Sequence, residues 1–86
     1  MATNIVIPDS ILTKLNDLPK EVRLKFWNQL EKIISNPSYP SLRNDKLQGT
    51  DQWAFSITMN YRATYIKGEM GIIITAIGTH KEVIGK

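Results

Sequence analysis

The chain has 86 residues, a formal net charge of +3, and apolar and charged fractions of 42% and 22%, which are typical of a globular protein rather than a disordered one. A chain this short forms one domain, residues 1–86, and buries only roughly 60% of its unfolded surface. It contains no cysteine and one histidine, which excludes disulfides, zinc–thiolate sites and cysteine nucleophiles, so we expect no metal and no cofactor.

The mild basic charge is compatible with RNA or an acidic protein as a partner. No stretch approaches the ~18 apolar residues that a membrane span needs. Residues 1–16 also lack the basic and apolar regions of a signal peptide. The sequence therefore predicts a cytoplasmic protein with no membrane partner.

The first elements are a short strand and a short helix. Asn4–Ile7 is an apolar run ended by Pro8, which predicts a strand. Asp9 and Ser10 then suit the N-cap of a helix. Its apolar positions recur at helical spacing and predict one buried stripe, formed by Ile11, Leu12, Leu15 and Leu18.

A second helix is predicted from Pro19 to Ser35, with Pro19 as its first residue. Its apolar residues share one face: Phe26, Trp27, Leu30, Ile33 and Ile34. The Leu18-Pro19 break between the two helices predicts a helical hairpin. Turn signals over residues 38–45 predict a surface loop.

From Lys46 the apolar period changes to two, which predicts strands. The first contains a stripe of Trp53, Phe55, Ile57 and Met59. The second runs from Tyr61 to Ile66, a turn follows at residues 67–69, and the third runs from Ile72 to Ile77 and is apolar enough to be central. Gly78 ends it and a short tail follows. The outline is β-α-α-β-β-β, an α+β fold with a helical hairpin on one face of a small, mostly antiparallel sheet.

Two polar residues of the C-terminal half could share the open face of this sheet. Arg62 lies within the second strand, and His80 comes directly after the third, where a side chain can lean over the face. Ala54, Ser56 and Thr58 would face the same side. An arginine in a strand is more often a solvated charge, and a lone histidine is more often a surface residue, so these patterns alone predict only a globular α+β domain.

Several motifs in chain order resemble toxins of the RelE/ParE superfamily, in particular RelE-type mRNA interferases with a YafQ-like Gly-Thr-His ending. They are Lys46-Leu47-Gln48-Gly49, Trp53, Tyr61-Arg62 and Ile77-Gly78-Thr79-His80. Leu18-Pro19-Lys20-Glu21-Val22-Arg23 and the amphipathic helix after it also resemble the helical hairpin of the family. The resemblance covers nearly the whole chain.

The resemblance implies the toxin of a type II toxin–antitoxin system that cleaves mRNA on the ribosome, inhibits translation and is held in check by a cognate antitoxin. In such cleavage a ribose 2′-hydroxyl attacks the adjacent phosphate, which needs proton transfer and cations. It implies that Arg62 stabilises the phosphate and that His80 acts as acid and base. Lys46, Lys81 and Trp53 become candidate RNA contacts.

The chain also departs from this pattern. Many members carry cations on the strand where this chain has Ala54, Ser56 and Thr58, and an aromatic residue after the final motif. Asp45 or Asp51 could serve as a base, because a two-histidine pair is impossible. Two alternatives stay open: a ParE-like gyrase inhibitor, and a degenerate RelE-like binding module with little activity.

Overall fold

The computed structural model describes residues 4–36, 38–69 and 71–84. These residues form five strands, three helices and one 3₁₀ turn. In chain order these are β1 Asn4–Val6, α1 Asp9–Asn16, α2 Lys20–Ser35, the 3₁₀ turn Pro40–Leu42, β2 Asp45–Lys46, β3 Gln52–Ser56, β4 Tyr61–Gly68, β5 Gly71–Thr79 and α3 His80–Ile84. None of the helices in these ranges is long and apolar enough to cross a membrane.

The five strands form one sheet in the order β1-β5-β4-β3-β2. β1 pairs with β5 in parallel, and all the other pairs are antiparallel. The predicted α+β class and the mostly antiparallel sheet are confirmed. β5 lies between β1 and β4, as its apolar sequence predicts for a strand with neighbours on both sides.

One face of the sheet, which we call the covered face, packs against α1 and α2. The buried core comprises residues of both helices, the 3₁₀ turn and strands β3, β4 and β5, among them Ile11, Leu15, Phe26, Leu30, Leu42, Phe55, Tyr65 and Ile74. Alternation along the strands sends every second side chain into this core. The opposite side of the sheet, the open face, carries the intervening residues.

The predicted N-caps of α1 are wrong. Pro8 occupies the N-cap position, with φ −57° and ψ 151°, and Asp9 is already helical. The Pro8 carbonyl accepts hydrogen bonds from the Ile11 and Leu12 amides, both at 2.9 Å. Pro19 has the same position before α2, so it is the N-cap of this helix and not its first residue as predicted. A proline suits both sites because the N-cap amide is not needed by the helix.

The predicted apolar stripes are wider than the face that the sheet covers. Phe26, Leu30 and Ile33 are buried, but Trp27 and Ile34 remain 45% and 39% exposed, and Leu12 is also exposed. The exposed residues Leu12, Trp27 and Ile34 line a cleft of about 530 Å³ between β1 and the two helices. We call it the apolar groove; it is lined by Ile5, Ile7, Leu12, Trp27, Leu30, Glu31 and Ile34.

The strand boundaries of the C-terminal half also differ from the prediction. β3 ends at Ser56, and Met59, predicted in its apolar stripe, is 97% exposed in the turn that follows. The turn is closed because the Ile57 and Thr58 amides both donate to the Tyr61 carbonyl, at 2.9 and 3.2 Å. β4 continues to Gly68, through most of the predicted turn.

The predicted tail contains a helix. β5 runs through Gly78 to Thr79, and α3 begins at His80. Thr79 and Glu82 cap this helix reciprocally: the Glu82 amide donates to Thr79 Oγ1 at 3.2 Å, and the Thr79 amide donates to Glu82 Oε1 at 3.0 Å. This capping box turns the chain back, and α3 packs on β4 and β5.

The Lys46-Leu47-Gln48-Gly49 motif forms the tight turn between β2 and β3. Gly49 has φ +76°, and the Thr50 amide donates to the Leu47 carbonyl at 3.2 Å. Thr50 Oγ1 donates to the same carbonyl at 2.8 Å. The motif therefore has a structural role in this chain, because only glycine adopts such a φ without strain.

Candidate functional site

The register of β4 and β5 places Arg62 and His80 at the same end of the sheet. Arg62 pairs with Gly78, Tyr61 pairs with Thr79, and His80 follows Thr79 as the first residue of α3. The His80 amide donates to the Asn60 carbonyl at 3.0 Å, which fixes the start of α3 against the turn before β4. Ala63 and Tyr65 are buried in the core, so alternation puts Arg62 on the open face.

The open face next to Arg62 is made of small and uncharged side chains. Ser56 pairs with Arg62, and Ala54 pairs with Thr64, as expected for the side opposite Phe55. Thr75 donates to Gln52 Oε1 at 2.7 Å and shares a hydrogen bond of 2.7 Å with Thr64. This network joins β3, β4 and β5. β3 itself contains no cation.

A cleft opens beside Arg62 at the end of β3. It has a volume of about 420 Å³, and we call it the basic cleft; it is lined by Lys25, Gln29, Ser41, Arg43, Ser56, Ile57, Thr58, Met59 and Arg62. Three of these side chains are cations and none is acidic. Thr58, expected on the open strand face, instead accepts the Asn60 and Tyr61 amides within the turn, at 3.3 and 3.2 Å.

Sequence reasoning missed Lys25 and Arg43. Lys25 lies on the exposed side of α2, and Arg43 follows the 3₁₀ turn. In the part of the chain that the structure describes, the side chains of Lys25, Arg43 and Arg62 make no hydrogen bond or ion pair. The positive φ of Arg43, +48°, is uncommon for a residue other than glycine, but it cannot be read from the sequence.

Of the two carboxylates considered as a base, Asp45 lies in β2 and pairs with Ala54. Asp51 precedes Gln52, which pairs with Ile66, four residues along the strand from the Ser56–Arg62 pair and so about 13 Å away. Glu82 is nearer, since a side chain at Gly78 would contact its Oε1. Hydrogen bonds from Thr79 lower the pKa of Glu82, so this carboxylate is a capping group and a weak proton acceptor.

Two of the candidate RNA contacts lie away from Arg62. Trp53 is partly buried, stacks on Tyr65 with ring centroids 6.5 Å apart, and is covered by Lys67 Nζ at 4.1 Å from its ring. Because Tyr65 belongs to the core, Trp53 and its pairing partner Lys46 lie on the covered side. Lys81 is exposed on α3, next to His80.

The sequence matches no protein-family model, and no curated protein matches it significantly. Solved structures do match. An archaeal RelE–RelB complex from Pyrococcus horikoshii OT3 contains a chain that is 21% identical, with a TM-score of 0.76 over 92% of this chain and 96% of that one. For the YoeB–YefM complex from Staphylococcus aureus the identity is 19% and the TM-score 0.74, over 93% and 99% of the two chains.

A mutant of the E. coli toxin RelE in the free state is also similar, at 19% identity and a TM-score of 0.75, over 95% of this chain and 87% of that one. These matches span nearly the whole of each chain. The chain therefore has the RelE-like toxin fold, as the ordered motifs predict.

Proposed function

We propose that this protein is the toxin of a type II toxin–antitoxin system and an endoribonuclease that cleaves mRNA on the ribosome. The observation that carries the proposal is the register that brings Arg62 and His80 to one end of the sheet, beside the basic cleft. The RelE-like fold supports it. RNA rather than DNA is the substrate because its 2′-hydroxyl supplies the nucleophile.

In the proposed reaction, the ribose 2′-oxygen attacks the adjacent phosphorus and the bond to the 5′-oxygen breaks. The Arg62 guanidinium presents a planar pair of donors to two phosphate oxygens and stabilises the charge that develops on them. The His80 imidazole accepts the 2′-proton and delivers it to the departing 5′-oxygen. The products are a 2′,3′-cyclic phosphate and a free 5′-hydroxyl.

The first prediction concerns these two residues. We expect induced expression to arrest growth and to cut ribosome-bound mRNA. His80→Ala should lower the cleavage rate by a factor on the order of 10²–10⁴, and Arg62→Ala by roughly 10²–10³. Primer extension on mRNA from cells that express the wild type or either variant measures the extent of cleavage. Lys20→Ala, an exposed change at the start of α2, is the control.

Two results would contradict the proposal. If the wild type and the His80→Ala variant cut ribosome-bound mRNA equally poorly, His80 has no catalytic role. If growth stops while mRNA stays intact and DNA gyrase is poisoned, the chain is a gyrase inhibitor. Absence of any growth defect would favour a binding module without activity.

The partner we propose is an antitoxin whose amphipathic helix fills the apolar groove. Similar chains are found in the RelE–RelB and YoeB–YefM complexes. The groove is lined by aliphatic side chains and Trp27 beside the edge strand β1. An apolar cleft of this kind suits helix side chains spaced at i, i+3, i+4 and i+7.

A further inference from the structure

Three cations from distant parts of the chain meet at the basic cleft. Lys25 comes from α2, Arg43 from the segment after the 3₁₀ turn, and Arg62 from β4. No acidic residue lines the cleft. Positive charges without a neutralising carboxylate raise the local potential, and a concave surface concentrates it, which favours an anionic ligand.

Arg43 also has an unusual backbone conformation. Its φ of +48° and ψ of 47° are left-handed, a conformation that is strained for a residue other than glycine. The Arg43 amide donates to the Pro40 carbonyl at 3.3 Å. Glycine would fit this position without strain, so folding does not require the arginine, and its side chain stands in the cleft.

Gln29 fixes the wall of the cleft. It is only 1% exposed, and its Nε2 donates to the carbonyls of Ser41 at 3.2 Å and Ser56 at 2.8 Å. One amide group thus ties α2 to the 3₁₀ turn before Arg43 and to the end of β3, where Ser56 pairs with Arg62. Its Oε1 has no hydrogen-bond partner in the described structure. Such a buried acceptor is completed by a donor from water or a ligand.

We propose that Lys25 and Arg43 bind a second phosphate of the RNA strand, next to the phosphate on which Arg62 and His80 act. β3 presents only the uncharged Gln52, Ala54 and Ser56 on the open face, so the charge that a neighbouring phosphate needs comes from the basic cleft. The cleft volume, about 420 Å³, lies within the ~300–1,000 Å³ of small-ligand sites and accommodates one nucleotide. The inference takes its substrate class from the proposed function.

The second prediction tests this with RNA binding. The probe is a fluorescein-labelled single-stranded RNA of about ten nucleotides, and the protein carries His80→Ala so that the RNA stays intact. Arg43→Gly removes one cation and relieves its φ, and Lys25→Gln removes the other. Lys20→Gln, which removes one charge from the same helix outside the cleft, is the matched control for Lys25→Gln.

We expect the Lys25→Gln/Arg43→Gly variant to bind at least about tenfold more weakly at low salt, because each lost phosphate contact lowers the slope of log K against log salt by about 0.7. Because the two cations share one phosphate, the slope should fall by about 0.7 in total. Lys20→Gln should leave the slope unchanged. Fluorescence anisotropy from 50 to about 200 mM salt covers the informative range.

Either of two results would overturn the inference: the double variant binding RNA with the affinity and slope of Lys20→Gln, or the starting protein binding no RNA at low salt. A different result would contradict the proposed function without contradicting this inference. If the wild type does not cut mRNA but binds RNA through Lys25 and Arg43, RNA binding at the basic cleft is supported and the proposed nuclease activity is refuted. If the variants of these two residues cleave mRNA as fast as the wild type, the proposed role of the basic cleft is refuted but the proposed nuclease activity is not.

Discussion

At the scale of single residues, two glycines are required for different physical reasons. Gly71 begins β5 with φ +144°, and a side chain there would collide with the backbone of Asn4 in β1. Gly49 has φ +76° in the turn before β3, but nothing surrounds the place where its side chain would be. Only the first glycine is required by both its conformation and its neighbours.

The third prediction compares substitutions at these glycines. Gly49→Ala should cost about 1–2 kcal/mol of unfolding free energy, which is the cost of a left-handed conformation. Gly71→Ala should cost more than about 3 kcal/mol, because β1 must also move away from β5. Urea unfolding followed by tryptophan fluorescence measures both. Equal losses at the two sites would show that β1 does not pack closely on Gly71.

Burial of Phe26, Leu30 and Phe55 could be predicted from the sequence, since it follows from local apolar periodicity. The roles of Lys25 and Arg43 could not. In the sequence Lys25 is one of several charges on the polar side of a helix, and it becomes a cleft residue only because Gln29 joins α2 to Ser41 and Ser56. That contact spans 27 positions of the chain, and no local pattern encodes it.

At the scale of elements, α3 is the helix that sequence reasoning missed, although its signal is local. The Thr79-His80-Lys81-Glu82 sequence has the Ser/Thr-x-x-Glu spacing of a capping box. The apolar run of β5 ends just before it, and only five helical residues follow, too few to show a helical period. The cap, rather than the periodicity, marks this helix and sets the position of His80.

The fourth prediction concerns the pH dependence of this cap. Hydrogen bonds from Thr79 lower the pKa of Glu82 below its ordinary value, so protonation is unfavourable in the folded state. The stability that Glu82 contributes is therefore present above the ordinary glutamate pKa and is lost as the pH falls through the lowered one. Amide hydrogen exchange of residues 80–83 should accelerate relative to β4 as the pH falls through that range.

Glu82→Gln provides the control for this effect. Glutamine keeps an acceptor oxygen for the Thr79 amide but does not titrate, so protection of α3 should be lower and independent of pH. A wild-type helix whose protection, corrected for intrinsic exchange, stays constant between pH 3 and about pH 6 would contradict the assignment of Glu82 as an ionised cap.

At the scale of the whole molecule, α2 separates two surfaces of opposite chemistry. Trp27, Leu30 and Ile34 line the apolar groove, while Lys25 and Gln29 line the basic cleft. Helical spacing puts these sets on different sides of the same helix. The antitoxin helix proposed for the groove would therefore leave the cleft residues uncovered, and inhibition of the proposed cleavage would require a further segment that reaches across the open face.

The fifth prediction separates the two surfaces. Trp27→Ser should weaken binding of the antitoxin by about 30-fold or more, since a central aromatic at an interface contributes roughly 2 kcal/mol or more. It should leave mRNA cleavage intact. Growth rescue by the co-expressed product of the neighbouring gene measures the first effect, and primer extension measures the second.

Leu24→Ser is the matched control for Trp27→Ser. Leu24 lies on the same helix and is 56% exposed, but it does not line the groove. It should leave both rescue and cleavage unchanged. Rescue of Trp27→Ser as complete as that of Leu24→Ser would place the antitoxin on another surface.

The parallel pairing of β1 with β5 also affects how the protein is made. Asn4 pairs with Gly71 and Val6 with Ile73, so the first strand stays without its partner until these later residues have been synthesised. Contacts between such distant positions form late and slow folding. Arg62 and His80 are brought together by β5, because Arg62 pairs with Gly78 and His80 follows Thr79. The proposed cleavage site is therefore complete only after β5 has joined the sheet, which is a late step of folding.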